Sequence, residues 1–302
     1  MMKKFERIIL IASTILISCL PERPGVNSNF FSEGISKGQV DNPSIDEASG
    51  LAASRSNPGF LWTHNDSGDS ARIFLIDSLG KYKASVYLEG VNNRDWEDIA
   101  VGPGPDSTKS YIYLGEIGDN DAIYEFKYIY RFIEPMISQI ENKISVLKFD
   151  SIKFTLPGGP RDTEALMIDP QTNDLYLFSK REHAINLYKL SYPYSTTETV
   201  SAEEVLSALP FSRIVAADFS ADGNEILIKS YTQVFYWKRK NEPVSELLKK
   251  EAIILPYTVE PQGESIAFSY DGKGYYTISE KTKHSKPQMI FYKRVNSSQE
   301  ND

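Results

Sequence analysis

Short apolar stretches alternate with polar turns from Ile45 to the end of the chain, and the same phrase returns five times. The first runs Glu47-Ala48-Ser49-Gly50-Leu51, a turn at Asn57-Pro58-Gly59, then Phe60-Leu61-Trp62-Thr63-His64. The second has Glu97-Asp98-Ile99, a turn from Gly102 to Lys109, then Tyr111-Ile112-Tyr113-Leu114-Gly115. The third has Glu164-Ala165-Leu166 and Leu175-Tyr176-Leu177-Phe178-Ser179, the fourth Ala217-Asp218-Phe219 and Glu225-Ile226-Leu227-Ile228-Lys229, and the fifth Glu264-Ser265-Ile266 and Tyr275-Tyr276-Thr277-Ile278-Ser279. An apolar run, a Gly/Pro/Asn/Asp turn and a second apolar run specify a β-hairpin.

A third strand follows each hairpin, at Arg72–Asp77, Tyr128–Ile133, Ile185–Leu190, Gln233–Lys238 and Gln288–Lys293. Fourth strands follow the first two, at Lys81–Leu88 and Ile144–Thr155. The aligned residues Leu51, Ile99, Leu166, Phe219 and Ile266 are 48, 67, 53 and 47 residues apart. Four-stranded units at this spacing predict an all-β chain folded as a β-propeller of five blades. Six blades also fit, because the longest step leaves room for irregular structure. A short strand near Lys37–Val40 is expected to complete the last blade. Ser201–Leu206 has the look of a capping box and predicts a short helix, and Pro243–Lys250 predicts another.

Strands run alternately up and down a blade, so the acids that open each unit and the polar runs that close each hairpin share one rim. The opening acids are Glu47, Asp95 with Glu97, Asp162 with Glu164, and Glu264, with Asp218 as the fourth unit's version shifted by one. The closing runs include His64-Asn65-Asp66-Ser67-Gly68-Asp69, Gly118-Asp119-Asn120, Lys180-Arg181-Glu182-His183 and Glu280-Lys281. Three readings of this ring stand side by side. The carboxylates could fix the angle between blades by accepting backbone N–H groups. They could hold Ca²⁺, which takes six to eight oxygen ligands, with Asp66, Glu97, Asp119, Glu164 and Glu264 as ligands. Or the rim could be catalytic, with His64 or Glu280 moving protons and Lys180 stabilising negative charge. Asn65, Asp69, Asp95, Trp96, Asn120 and Asp162 are the ligand-binding candidates. A metal-assisted hydrolase and a non-catalytic binding or scaffold propeller both follow from this ring. No HExxH, P-loop or G-x-S-x-G motif is present.

The first residues change the expected address. Lys3, Lys4 and Arg7 precede an apolar stretch from Ile8 to Ile17, too short to span a bilayer. Leu16-Ile17-Ser18-Cys19 then resembles the lipobox of bacterial lipoproteins, with Cys19, the single cysteine, as the lipidated residue. The expected organisation is a signal peptide over 1–18, a lipidated tether over 19–44, the propeller over 45–295 and a frayed tail over 296–302. The protein is then a monomer anchored to the cell envelope, facing the periplasm or the exterior. Of its 302 residues 41% are hydrophobic and 25% charged, with a net charge of −8. That acidity argues against nucleic acid as a partner.

The phrases Glu47-Ala48-Ser49-Gly50-Leu51, Trp62-Thr63-His64-Asn65-Asp66-Ser67-Gly68, Asp95-Trp96-Glu97-Asp98-Ile99-Ala100, Gly118-Asp119-Asn120 and Arg161-Asp162-Thr163-Glu164-Ala165-Leu166 resemble a family of bacterial secreted propellers without a settled activity. That family has Gly-Asp-Ile-Gly-Asp-Asn where this chain has Glu116 in place of the first Asp. More distantly, the layout is similar to phytase-like and calcium-dependent lactonase-like propellers. That likeness implies a metal-lined central channel and hydrolysis of phosphate esters or lactones.

Overall fold

A computed structural model describes residues 25–139 and 143–295. Five sheets form the described chain, each starting from an inner strand at the axis: Ala48–Ala53, Trp96–Gly102, Thr163–Ile168, Ile214–Phe219 and Ser265–Phe268. Each inner strand packs on the next, and the fifth returns to the first, so the sheets close a five-bladed propeller. The expected hairpins and third strands are all present.

The strand expected near Lys37 runs over Phe31–Gln39 and pairs antiparallel with Gln288–Arg294, so the first described strand closes the last blade. Phe31 is fully buried between blades four and five. Order therefore reaches further back than Ile45.

Two expectations are corrected. The region Ser201–Leu206 is not helical: Glu203–Leu209 is the fourth strand of blade three. A capped turn this short cannot pay for its own nucleation, whereas the strand satisfies the open edge of Ile185–Leu190. The stretch Ile144–Thr155 is also not one strand. Asp150–Thr155 is blade two's fourth strand, but Lys143–Val146 crosses back and runs parallel to Tyr82–Leu88 of blade one. Val200–Ser201 likewise lies parallel to blade two's outer edge, and Val26 makes a parallel bridge to Ile254 of blade four. In each case a connecting segment covers the outer edge of the preceding blade, which would otherwise present unpaired N–H and C=O groups. Blades one and two thus have five strands rather than four. The short helix Val244–Leu247 falls where one was expected.

The core is divided by the ring. Five apolar clusters lie one at each junction of neighbouring blades. Buried polar links cross the same junctions. Asp98 accepts its own Ile99 N–H and the Leu166 N–H of blade three at 2.9 Å. Glu134, 3% exposed, receives Ser54 Oγ, the N–H groups of Arg55 and Ser56, and Trp62 Nε1, all from blade one. Removing this carboxylate strands several buried donors at once, each costing about 1–3 kcal/mol. Glu134→Ala is expected to lower the unfolding free energy by about 3 kcal/mol or more in urea titration, and Glu134→Gln by less. A loss under about 1 kcal/mol in the alanine variant would show that this link does not hold blades one and two together.

Candidate functional site

Four of the five inner strands begin with a register shift. Glu97 and Glu164 are the extra residues at two of these bulges, between Trp96 and Asp98 and between Thr163 and Ala165. A bulge re-aims the side chain it carries, and here it turns both glutamates into the channel mouth. Blade five brings Glu264 to the same level, directly before the first paired residue, Ser265. The equivalent positions in the other blades hold Ser49 and Val215.

This register corrects the fourth unit. Asp218 is not its opening acid; it sits deeper in the channel, where it accepts Phe268 N–H at 2.8 Å. There it lines a cavity of about 20 Å³ with Arg55, and burial raises its pKa to about 7.

At the mouth seven carboxyl groups form a continuous belt built from three overlapping triads: Asp66 with Asp95 and Glu97, Asp66 with Glu264 and Glu280, and Glu97 with Asp162 and Glu164. Within each triad the ligand oxygens lie within 4.8 Å of one another. Calcium–oxygen bonds of 2.3–2.6 Å put oxygens on opposite sides of an ion about 4.6–5.2 Å apart, so the spacing fits such an ion.

Cations of the protein meet only part of this charge. Lys180 Nζ lies 2.7 Å from Glu164 and 3.7 Å from Glu264. Arg181 Nε donates to Asp162 at 2.5 Å. Tyr231 donates its hydroxyl to Glu264, which also hydrogen-bonds Glu280. Neither an arginine nor a lysine forms an ion pair with Asp66, Asp95 or Glu97 among the described residues.

The titration of the belt reflects this crowding. Burial, then the charges of Glu164 and Asp66, holds Glu97 well above the usual carboxylate range. Glu164 is raised to about 8 by burial against the opposing effect of Lys180, and the two glutamates share a hydrogen bond. Burial and the neighbouring Glu264 and Asp66 raise Glu280 to about 8. Asp95 rises to about 6 through burial, Asp66 and Asp162. Burial opposes the charge on Lys180, but Glu164 and Glu264 outweigh it and hold its pKa above the ordinary value.

Gly118 forms the floor beside the unneutralised triad. A Cβ there would stand 2.1 Å from Glu97 Oε1 and 2.5 Å from the Asp95 carboxylate. Its N–H donates to Asp95 C=O at 3.1 Å. Glu116 secures the same loop from below by accepting Asp95 N–H at 2.8 Å and Trp96 Nε1 at 3.0 Å.

The structure separates the remaining candidates from this belt. His64 is fully buried: Nε2 accepts Gly50 N–H at 3.2 Å and Nδ1 donates to Asn65 C=O at 2.9 Å. Burial lowers its pKa to about 4, which favours the neutral ring, and both ring nitrogens are taken up by backbone groups. The Asp119 carboxylate accepts Ile123 and Tyr124 N–H groups, with Lys127 Nζ 3.9 Å away, while its backbone N–H donates to Asp162 of the belt at 2.9 Å. Asn120 is exposed. Trp96 is buried in the cluster between blades one and two. Asn65 and Asp69 tie down their own loop, Asp69 with both oxygens on Arg72.

Tyr231, Gly118 and Glu116 act at the mouth without having been picked out as site residues. Tyr231 lies two residues past Lys229, the end of the fourth unit's second apolar run, so reading that polar end would have found it. Gly118 and Glu116 lie inside the acidic phrase of blade two, but their roles depend on side-chain and backbone approach that spacing does not reveal.

No family model matches the chain, and no curated protein matches it. Among solved structures, the chain is similar to Kuenenia stuttgartiensis hydrazine synthase, with a TM-score of 0.41 and 11% identity over 82% of this chain and 72% of that one. At that distance no function transfers between the two.

Proposed function

We propose that the channel mouth binds a divalent, oxygen-preferring cation, calcium first among them, between Asp66, Asp95 and Glu97. The bound ion would in turn hold oxygen atoms of a ligand presented to the open face. The carrying observation is the triad itself: three carboxylates at ligand spacing, with no lysine or arginine ion-paired to them among the described residues, around a floor that only glycine leaves open. Glu164 and Glu264 support the belt from beside it, already engaged by Lys180.

Cation-dependent binding of a ligand is the use this geometry favours, because His64 is locked into the blade and Lys180 is held by Glu164. Metal-assisted hydrolysis of an ester, lactone or phosphoester is the second reading. It draws on the half-buried Glu280 beside the triad as the group that would carry a proton. A screen of those three substrate classes with calcium present separates the two. Turnover abolished by Glu280→Gln supports hydrolysis, and its absence supports docking.

Lipid anchorage through Cys19 belongs to the same reading and rests on Leu16-Ile17-Ser18-Cys19. That motif, like the 296–302 tail, lies outside the described residues. In a bacterial host, Cys19→Ser is expected to move the protein from the membrane fraction to the soluble fraction and to abolish labelling with radioactive palmitate. Retention of label would contradict the assignment.

Calcium should raise the melting temperature of the wild-type protein. Glu97→Gln should reduce that shift severalfold, since a carboxylate ligand is lost. Gly118→Ala should abolish it without changing any charge, because the added methyl group occupies the floor. A full calcium response in Gly118→Ala would place the ion elsewhere.

The pH dependence has a definite sign. In the ion-free protein, Asp95, Glu164 and Glu280 keep protons at pH values where the unfolded chain has given them up. Their stabilising contribution is complete below their unfolded values and is lost as pH rises through about 6 for Asp95 and about 8 for Glu164 and Glu280. Without calcium the melting temperature should therefore fall between pH 5 and pH 8.5, on the order of the window these groups define. Saturating calcium should flatten that fall, and calcium affinity should increase with pH as ligands deprotonate. A melting temperature that rises over this range without calcium would contradict protonated acids at the mouth.

A further inference from the structure

A second feature opens onto the same mouth and has a basic lining. Between the mouth-side loops of blades three and four lies a groove of about 740 Å³, lined by Lys180, Arg181, His183, Arg213, Tyr231 and Thr232 among others. Its one acidic lining residue, Glu182, is already paired with Arg161 at 2.9 Å. Three permanent cations line the groove, and two of them, Lys180 and Arg181, already face carboxylates of the belt.

The cations differ in what they have left to offer. Lys180 is spent on Glu164 and Glu264. Arg181 uses Nε on Asp162, while its side chain remains 52% exposed. The exposed Arg213 guanidinium has no hydrogen bond or ion pair among the described residues. Its backbone is fixed, with φ at 55° and its N–H donated to Lys180 C=O at 3.3 Å. A left-handed φ on a non-glycine residue is costly unless the surroundings impose it. Here it holds an unpaired arginine beside the residue that contacts the acidic belt.

We infer that this groove takes the anionic group of a small organic ligand, a carboxylate or a phosphate, on Arg213 and Arg181, with the ligand's other oxygens directed past Lys180 and Tyr231 to the mouth. The planar guanidinium fork matches both anions. Tyr231 and Lys180 line the groove and touch Glu264 and Glu164, so one molecule spans groove and belt without leaving protein surface. The inference rests on the proposed cation only for the second end of the ligand.

The test is calorimetric titration of the full chain with methylphosphonate and, separately, with succinate, each with and without calcium chloride. The two probes distinguish phosphate from carboxylate recognition. At least one should bind the wild-type protein, more tightly with calcium. Arg213→Ala should weaken that binding about tenfold or more, Arg213→Lys should weaken it less, and added salt should weaken it further. Because Arg213 is exposed and outside the acidic belt, Arg213→Ala should bind calcium like wild type. No binding of either probe, or equal binding by Arg213→Ala, overturns the groove assignment and leaves the cation site standing. Binding that depends on Arg213 in a protein that does not bind calcium sustains the groove and removes the cation.

Discussion

Convergence of the inner strands on one axis is the constraint from which the rest of this structure follows. Closing five sheets into a ring places the beginnings of their first strands around a narrow opening. Any acid at that level then meets acids from blades far away in sequence. Carboxylates at such distances cannot all ionise in a poorly solvated site without a compensating charge or donor. How each one is compensated decides whether it builds the propeller or serves at its surface.

Most are compensated from within. Asp98 and Asp218 reach across to backbone N–H groups of the next blade, Glu134 gathers the donors of blade one, and Glu116 binds the Asp95–Trp96 turn. These are structural carboxylates, and of the acids expected to open the units only Asp218 is among them. Asp162 and Glu164 have Arg181 and Lys180. What remains is Asp66, Asp95, Glu97 and Glu280, none of which has a lysine or arginine ion pair among the described residues, and the first three lie together at ligand spacing. The site is thus defined as a residue left over from the structural accounting, and the glycine beneath it gives that remainder room.

Much of the architecture was legible because a blade's second strand is buried on both faces. Runs such as Tyr111–Glu116 and Leu175–Ser179 are therefore continuous apolar words bounded by turn residues. The closing strand was legible in place but not in extent, since Phe31–Gln39 carries five polar residues and two glycines, a composition usual in loops. The parallel edge strands Lys143–Val146 and Val200–Ser201 left no readable pattern, because so few residues pair so far from their partners in sequence. At the site, Glu97, Glu164 and Glu264 could be aligned by eye, but the bulges that aim the first two could not. That is why Asp218 was placed one level too high. His64 and Asp119 looked functional by residue type and company; burial and local hydrogen bonds, invisible in one dimension, give them structural work.

The central claim is that an ion, and not a shared proton alone, relieves the charge at the mouth. Anomalous scattering from crystals soaked in a lanthanide, which occupies calcium's oxygen sites, addresses it most directly. The account predicts a strong peak bounded by Asp66, Asp95 and Glu97 above Gly118, lost in crystals of Gly118→Ala. Strong peaks only at surface carboxylates, with the mouth empty at neutral pH, would contradict it.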